Sequence, residues 1–493
     1  MAFNLISSPQ LFTPAYNPIE WVVGSTNYTR CDFVYLCDVY INSVFIIRLK
    51  AEPSTDTYGH FRVERVIQDY LSKDFKHDLI GFSENLNSAC AYSLEFREQY
   101  NSNYATTCVG ADTITSVQYT SSPSYSWNGA IQYKEFLNFD KDNYVLDSAI
   151  TKFLNFTPLK TRIKLTDNFV ASFLQFYNLT PADTLQVKTF DSNFTLINTY
   201  SIPNNTSPIY TWHHLSVGCG ANNINAYSES LSPSATWIDS SVYYYTVQLL
   251  DDTSAQVSEA IVFEIDNRCT KFNNYRIWWL NRKGAYNSYD FDLFATRKLD
   301  STQNTYEKLL EPNYSEGDRG ETTISVDAKE SYLFNTDRVR KDEVRYLEDL
   351  YTSPDIYVVE SSIVNTNIAI TGAVYNSGTA SFVLTYSGSI EVGTKFTYIV
   401  DDGSPIGMAN AGGGEITGYD TITGYYETNV PATINAGALI TGLMIAQISE
   451  TKIIPMIRIT NSFDDKSLPK TAVSPNFYQI ELTPSFKINI QSY

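Results

Sequence analysis

Two adjacent tryptophans, Trp278 and Trp279, stand in an apolar run that leads into a turn rich in Asn, Gly and Tyr. Successive side chains of a β-strand point to opposite faces of its sheet. The two indoles can therefore be buried together only if both faces of that sheet are covered. The sequence predicts a strand inside a β-sandwich or at a domain or subunit contact, with Trp278 and Trp279 as the interface residues.

The amino-acid composition predicts an all-β protein. The chain has 37 Tyr and 27 Phe but only 4 Met, and β-strands favour aromatic and β-branched residues. Strand-like stretches recur at intervals of about 8 to 12 residues, as in immunoglobulin-like sandwiches. The 493 residues suffice for roughly three or four domains. We expect several β-sandwich (immunoglobulin-like) domains rather than a parallel α/β sheet.

The pattern of apolar residues predicts two short helices and three β domains. Helical spacing of Val63, Ile67 and Leu71 indicates a helix near 63–72, and a second is expected over 342–351, ended by Pro354. We expect an N-terminal sandwich over 1–155, a central region over 156–330 that carries the Trp278–Trp279 strand, and a C-terminal β domain from 331–361 plus 452–493.

Residues 362–451 differ from the rest of the chain. They hold 13 of the 23 glycines and neither Arg nor Trp. Thr-rich alternating stretches, such as that from Phe396 to Val400, indicate short strands between tight turns. We expect one inserted small β-domain, because insertions are tolerated in exposed loops.

The charge balance disfavours binding to nucleic acid. The chain has 35 basic and 54 acidic residues, for a net charge of −19, whereas phosphate binding needs clustered Lys and Arg. A negative lumen would let DNA slide without adhering. Solubility through self-repulsion explains the same balance equally well.

The six cysteines are dispersed without metal-ligand spacing and are expected to be reduced core thiols in a bacterial cytoplasm: Cys31, Cys37, Cys90, Cys108, Cys219 and Cys269. The start of the chain lacks the basic and apolar regions of a signal peptide. Nowhere does an apolar run reach about 18 residues. We expect no secretion signal and no membrane contact.

No motif predicts an enzyme, and we expect no catalytic, cofactor or metal site. His213 and His214 have no evident third ligand and are expected to be ordinary strand residues. Asp251–Asp252 and Asp401–Asp402 lie beside turn-forming residues. The glycines at 412–414 lack the Lys and Ser/Thr of a phosphate-binding loop. Sugar binding by surface aromatics stays open.

Several segments resemble a family of virion proteins in tailed phages of Bacteroidetes, the crAss-like phages among them. They occur in the family's order: the Tyr58–Val63 and Gln68–Leu71 segments, Lys152–Leu154, Asp167–Asn168, the strand at 263–270 with the Leu280–Asn281 turn, and Tyr346–Tyr357. The resemblance implies a structural tail or neck protein, with no catalytic motif to transfer. The 362–451 segment departs from the family's pattern.

The expected function is that of a structural virion protein that assembles into a ring of the tail or neck, in the virion and built in the host cytoplasm. Such a homo-oligomer closes through head-to-tail contacts, with twelve-fold symmetry favoured over six-fold. It would dock neighbouring tail or neck proteins and let DNA pass without specific binding. The alternative is a tail fibre or baseplate glycan-binding protein for host recognition, with the insertion as reader. A depolymerase is a distant third.

Overall fold

A computed structural model gives the fold. It describes residues 3–101, 111–146, 150–158, 160–176, 182–206, 212–232, 235–267, 275–307, 312–313, 315, 321–336, 339, 341–376, 381–382, 395–401, 410–420, 425–428, 439–458 and 479–485. The chain divides into two compact units, and each is described by itself. The first comprises residues 1–356 and 456–493, and the second comprises residues 357–455.

Residues 3–146 form short strands, two helices and one 3₁₀ turn (Lys141–Asn143). The elements are β1 (Phe3–Ser7), β2 (Phe12–Pro14), β3 (Glu20–Ser25), β4 (Val34–Ile41), β5 (Val44–Ala51), β6 (Gly59–Arg62), α1 (Glu64–Gln68), β7 (Phe82–Glu84), β8 (Ala89–Asn101), β9 (Asp112–Ile114), β10 (Tyr119–Thr120), β11 (Ser124–Trp127), α2 (Tyr133–Phe136) and β12 (Val145–Leu146).

The rest of the chain adds two longer helices and eighteen strands among the described residues. Up to residue 352 these are β13 (Thr161–Ile163), β14 (Val170–Phe176), β15 (Thr184–Phe190), β16 (Leu196–Pro203), β17 (Trp212–Gly218), α3 (Ala221–Leu231), β18 (Tyr244–Leu250), β19 (Ile261–Ile265), β20 (Tyr275–Leu280), β21 (Tyr286–Phe291), β22 (Thr296–Glu307), β23 (Glu321–Asn335) and α4 (Lys341–Thr352). Then follow β24 (Ile356–Asn376), β25 (Ser381–Phe382), β26 (Lys395–Asp401), β27 (Asn410–Asp420), β28 (Tyr425–Thr428), β29 (Leu439–Arg458) and β30 (Gln479–Pro484).

The first sandwich packs a small sheet on a larger one. The order β1-β3-β6 faces the order β2-β11-β8-β4-β5, to which β9 and β10 add on β8. Side chains of β8 alternate between buried and half-buried positions, whereas β4 is buried on both faces from Tyr35 to Val39. Val39, Leu94 and Phe96 meet Trp21 and Phe61 in one core. A seven-stranded sheet opposite a three-stranded one leaves its outer strand without full cover.

In the second sandwich a four-stranded sheet, in the order β12-β14-β17-β7, packs on a five-stranded sheet, in the order β13-β19-β18-β15-β16. Phe173 and Leu215 of one sheet share a core with Val187, Val247 and Phe263 of the other. Strands β7 and β12 come from the range predicted for the N-terminal domain. Strand pairing therefore crosses the predicted boundary at residue 155, because β7 pairs with β17 and β12 with β14.

A third group of elements in the first unit surrounds strand β20. The hairpin β20–β21 packs against helix α4, and strand β23 pairs with β30. Phe334 of β23 contacts Tyr275 and Phe291, with ring centroids 5.2 and 6.3 Å apart. Tyr351 of α4 donates to the Gln479 carbonyl at 2.6 Å. Residues near the end of the chain thus complete this core.

The second unit is all-β in its described residues. Its strands follow the order β24-β25-β28-β27-β26-β29, and a further pairing of β24 with β29 closes the series. Glycines 412–414 lie within strand β27, where Gly412 faces Tyr398 and Gly414 faces Phe396 across the ladder. The predicted insertion, 362–451, lies inside this unit; the three-domain division of the remainder stays a prediction.

The predicted fold class is confirmed: the protein is all-β and built of several sandwiches. Both predicted helices form, α1 inside 63–72 and α4 over 341–352. Helices α2 and α3 were not predicted. Helix α3 is largely polar and is held by contacts distant in sequence, since Asn223 accepts from the Phe169 N–H at 2.8 Å. No helix among the described residues is long and apolar enough to cross a membrane.

Candidate functional site

Strand β20 places the two tryptophans on opposite faces, and the chain itself covers both. Trp278 is 1 % exposed and contacts Phe75, with ring centroids 5.7 Å apart. Trp279 is fully buried against Tyr346 of α4, at 5.0 Å. Their predicted burial is therefore achieved within one chain. Neither indole is available on the surface of the first unit for a contact with another subunit.

Beside the tryptophans lies a buried ion cluster. Arg276 Nη1 contacts Asp167 at 3.0 Å and Asp290 at 2.8 Å. Burial alone would lower the pKa of Arg276, but the two carboxylates raise it. Burial and the neighbouring Asp290 raise the pKa of Asp167. The cluster fixes β20 to the turn after β13, which is a structural role.

The histidine pair lies on strand β17 and points to opposite sides. His213 Nδ1 lies 2.5 Å from Glu84, and His214 Nδ1 lies 2.6 Å from the Ser88 hydroxyl. Burial, together with the charge of Lys76, lowers the pKa of His214 to about 4. Within the described ranges, no group of three His, Cys, Asp or Glu side chains could hold a metal ion.

The adjacent aspartates and the cysteines that the sequence singled out are described only in part. Asp251 accepts hydrogen bonds from Thr253 and from the Ala255 N–H at 2.7 Å, as expected for a turn. Asp402 lies outside the described residues. Cys37, Cys90 and Cys219 are free and buried, as predicted. Cys31 is disulfide-bonded, so the expectation of reduced thiols is wrong at that position. Cys108 and Cys269 lie outside the described residues.

Strand β5 carries an exposed apolar segment at a sheet edge. Among the described strands it pairs only with β4. Val44 is 61 %, Phe45 52 % and Ile47 42 % exposed, and residues 44–47 include no charge and no proline. Charged residues and prolines usually protect the edge strands of monomeric proteins from pairing with another chain. This segment, the β5 edge, is the candidate assembly surface of the first unit.

Charges and prolines occur on the outer strands, β5 itself included, because Arg48 and Lys50 follow the apolar segment 44–47. Every residue of β22 is exposed along its twelve-residue ladder with β23, but Arg297 and Lys298 pair with acidic neighbours there. Strand β16 has a largely exposed first half and ends in Pro203. Charge and proline both discourage pairing with another strand.

The turn after the tryptophans lines a cleft of about 320 Å³. Asn281 shapes this turn by accepting from the N–H groups of Lys283 and Ala285 at 2.8 and 3.1 Å. Gly284 has φ +91, and a Cβ there would lie 2.3 Å from the Asn128 carbonyl, so only glycine fits. The turn thereby directs Arg282 and Lys283 into the cleft.

The other walls of this cleft, the β20-turn cleft, come from three further segments. The lining residues are Glu135, Asn143 and Tyr144 of one segment, Lys152 and Phe156 of a second, and Asp349 of α4. Arg282 Nε donates to Asp349 at 2.6 Å. Burial lowers the pKa of Lys283, which the opposite charge of Glu259 partly offsets.

Sequence reasoning missed both the β5 edge and the cleft. Residues 44–47 are four apolar residues in a row, and this uninterrupted run was the available signal. The cleft gave no signal, because its residues are spread between positions 135 and 349.

Comparison with known proteins adds little to these observations. No protein-family model matches the chain, and no curated protein sequence matches it. Among solved structures, the chain is similar to Drosophila OTK, extracellular domains 3-5, at 9% sequence identity and a TM-score of 0.17. The match covers 68% of this chain and 91% of that chain. A likeness this weak carries no argument about function.

Proposed function

We propose that the protein is a structural virion protein of a tailed phage, which assembles with copies of itself into a ring of the tail or neck. The resemblance of its ordered sequence segments to crAss-like phage virion proteins supports the phage context. The observation that carries the assembly role is the β5 edge, an uncharged apolar strand segment exposed at a sheet margin.

A second copy can cover this edge in two ways at once. The backbone N–H and C=O groups of the β5 edge can pair with a strand of the second copy, and the same copy can bury Val44, Phe45 and Ile47. A head-to-tail contact repeated around an axis closes into a ring when the rotation fits. Twelve-fold symmetry stays favoured over six-fold. The net charge of −19 supports a lumen that passes DNA without holding it.

The test is to image the purified chain by negative-stain microscopy and to measure its mass in solution by light scattering. We expect closed rings for the wild type. The variant Phe45→Ser/Ile47→Thr should be monomeric and folded, because both side chains are exposed. It also removes the contact of Phe45 with the Tyr40 ring, at 5.7 Å, which costs some stability but leaves the core intact. Leu231→Ser, another exposed apolar residue at the end of α3, is the matched control and should still form rings.

Two outcomes separate the levels of the proposal. A wild-type protein that stays monomeric at about 100 µM contradicts ring assembly, because even weak interfaces associate at that concentration. If the Phe45→Ser/Ile47→Thr variant forms rings as well as the wild type does, ring assembly stands but does not use the β5 edge.

A further inference from the structure

The β20-turn cleft has the size and the lining of a small-molecule site. Its volume of about 320 Å³ suits one sugar ring, and pockets of roughly 300–1,000 Å³ hold small ligands in proteins. Nothing in the proposed ring function uses it. It lies wholly in the first unit and is formed by side chains from four separate segments.

Two aromatic rings form flat parts of the wall. Tyr144 is stacked on Phe139 at 5.4 Å and also contacts Trp127 at 6.2 Å, while the Lys283 ammonium lies 5.8 Å from its ring centre. Phe156 stacks on Tyr346 at 6.5 Å. Both rings also line the cleft. Each is thus held in orientation by another aromatic ring while it borders the cavity. Fixed aromatic surfaces with polar groups beside them suit a ligand that is apolar on one side and polar at its rim.

The polar groups of the cleft carry both signs of charge. Arg282 and Asp349 bind each other, which leaves Lys152 and Lys283 as cations. Glu135 lines the cleft, and burial raises the pKa of nearby Glu259, which the positive charges of Lys152 and Lys283 partly offset. A free anion would meet carboxylates here and a free cation would meet ammonium groups. The balance favours a neutral ligand.

A hydroxyl both donates and accepts hydrogen bonds, so a polyhydroxylated ring can use both kinds of group at once. The ammonium groups of Lys152 and Lys283 and the amide of Asn143 donate, while the carboxylates of Glu135 and Asp349 accept. From this lining we propose that the β20-turn cleft binds a neutral saccharide, with a hexose-sized ring against Tyr144 and Phe156.

The test uses saturation-transfer NMR and calorimetric titration of the full chain with D-glucose, D-galactose, D-mannose and N-acetyl-D-glucosamine. At least one should bind and give transfer to its ring C–H protons, which lie against the aromatic walls. Linear hexasaccharides of the sugar that binds distinguish a polysaccharide end or chain from a free monosaccharide. Tighter binding of the hexasaccharide assigns a polymer, and equal or weaker binding assigns the monosaccharide.

Three variants assign the site. Lys152→Met, at an exposed position, and Lys283→Met should each weaken binding at least about fivefold, since a lost charge-assisted hydrogen bond has about that effect. Glu135→Gln should weaken it about threefold or more. Glu229→Gln, an exposed acid on α3, is the control and should bind like the wild type. Unchanged thermal unfolding shows that each variant is folded. If the buried Lys283→Met variant does not fold, the exposed Lys152→Met variant still tests the site.

Three results would overturn the proposal. One is the absence of saturation transfer to any of the four neutral sugars at about 50 mM, well above the roughly millimolar dissociation constants expected of small sugars. Another is wild-type affinity in both lysine variants. The third is binding of acetate or D-glucuronate in preference to every neutral sugar, which would make the cleft an anion site.

Discussion

Strands β20 and β5 each contain an apolar run, but one run is buried and the other is exposed. The two tryptophans of β20 are buried on both faces by segments of the same chain. The first half of β5 stands at a sheet edge with Val44, Phe45 and Ile47 exposed. The more conspicuous apolar motif is therefore an internal support, and the less conspicuous one is available for assembly.

The difference follows from the number of strands on each side of a core. Strand β20 has a helix and aromatic side chains on its two faces, such as Tyr346 and Phe75. Strand β5 ends a seven-stranded sheet that faces only three strands. Apolar side chains at such an overhang stay in contact with water until a partner covers them.

Trp279→Ala should have the largest effect on the isolated chain. Removing a fully buried indole leaves a cavity against Tyr346, and such truncations cost about 4–5 kcal/mol at the upper end of their range. Chemical denaturation measures the free energy of unfolding. Trp237→Ala, which removes a half-buried indole stacked on Tyr200, is the control and should cost less. Equal costs would mean that β20 is no better covered than the surface.

Arg276→Met should cost slightly less, about 3–4 kcal/mol, because Asp167 and Asp290 lose their buried counter-charge. The triple variant Arg276→Met/Asp167→Asn/Asp290→Asn should recover most of that loss. Denaturation at neutral pH measures both. A triple variant as unstable as Arg276→Met would show that packing, rather than unpaired charge, accounts for the cost.

His214 makes the interior sensitive to acid. Its folded-state pKa of about 4 lies below the ordinary value of 6.5, so the unfolded chain takes up the proton first as the pH falls. Folding stability should decline from about pH 6.5 to about pH 4, by about 3 kcal/mol in total. His214→Gln should remove this part of the decline in denaturation series across that range. Parallel curves for variant and wild type would contradict the burial of a neutral imidazole.

Local patterns predicted the fold class and the elements whose period is set by their own residues. Alternation in β8 and the 3.6-residue spacing in α1 are visible without tertiary information. Helix α3 was missed because its stability depends on Asn223 and residues more than fifty positions away. The opposite faces of Trp278 and Trp279 were predictable, but which segments cover them was not.

The candidate sites were less predictable for the same reason. Whether Ile47 is covered depends on how many strands the opposite sheet contains, and the sequence of β5 does not carry that number. The cleft depends on Asn281 and Gly284 shaping one turn and on four segments meeting around it. Both properties arise only when the long-range pairing is complete.

The smallest effect tests the comparison most sharply, through two cross-strand neighbours. Val39 of β4 faces Ile47 of β5 in the ladder, but Val39 is fully buried and Ile47 is largely exposed. Val39→Ala should cost about 2 kcal/mol at any protein concentration. Ile47→Ala should cost less than about 0.5 kcal/mol in the dilute monomer, where its side chain already meets water.

The dependence of the melting temperature on protein concentration then shows whether the β5 edge takes part in association. If copies join through the β5 edge, the wild-type melting temperature should rise with protein concentration, because association stabilises only the folded state. Ile47→Ala should flatten that rise, whereas Val39→Ala should shift the whole curve down and leave its slope unchanged. Scanning calorimetry over about a hundredfold range of concentration measures both. Equal losses for the two variants at the lowest concentration would show that β5 is covered within the monomer, and the contrast with β20 would disappear.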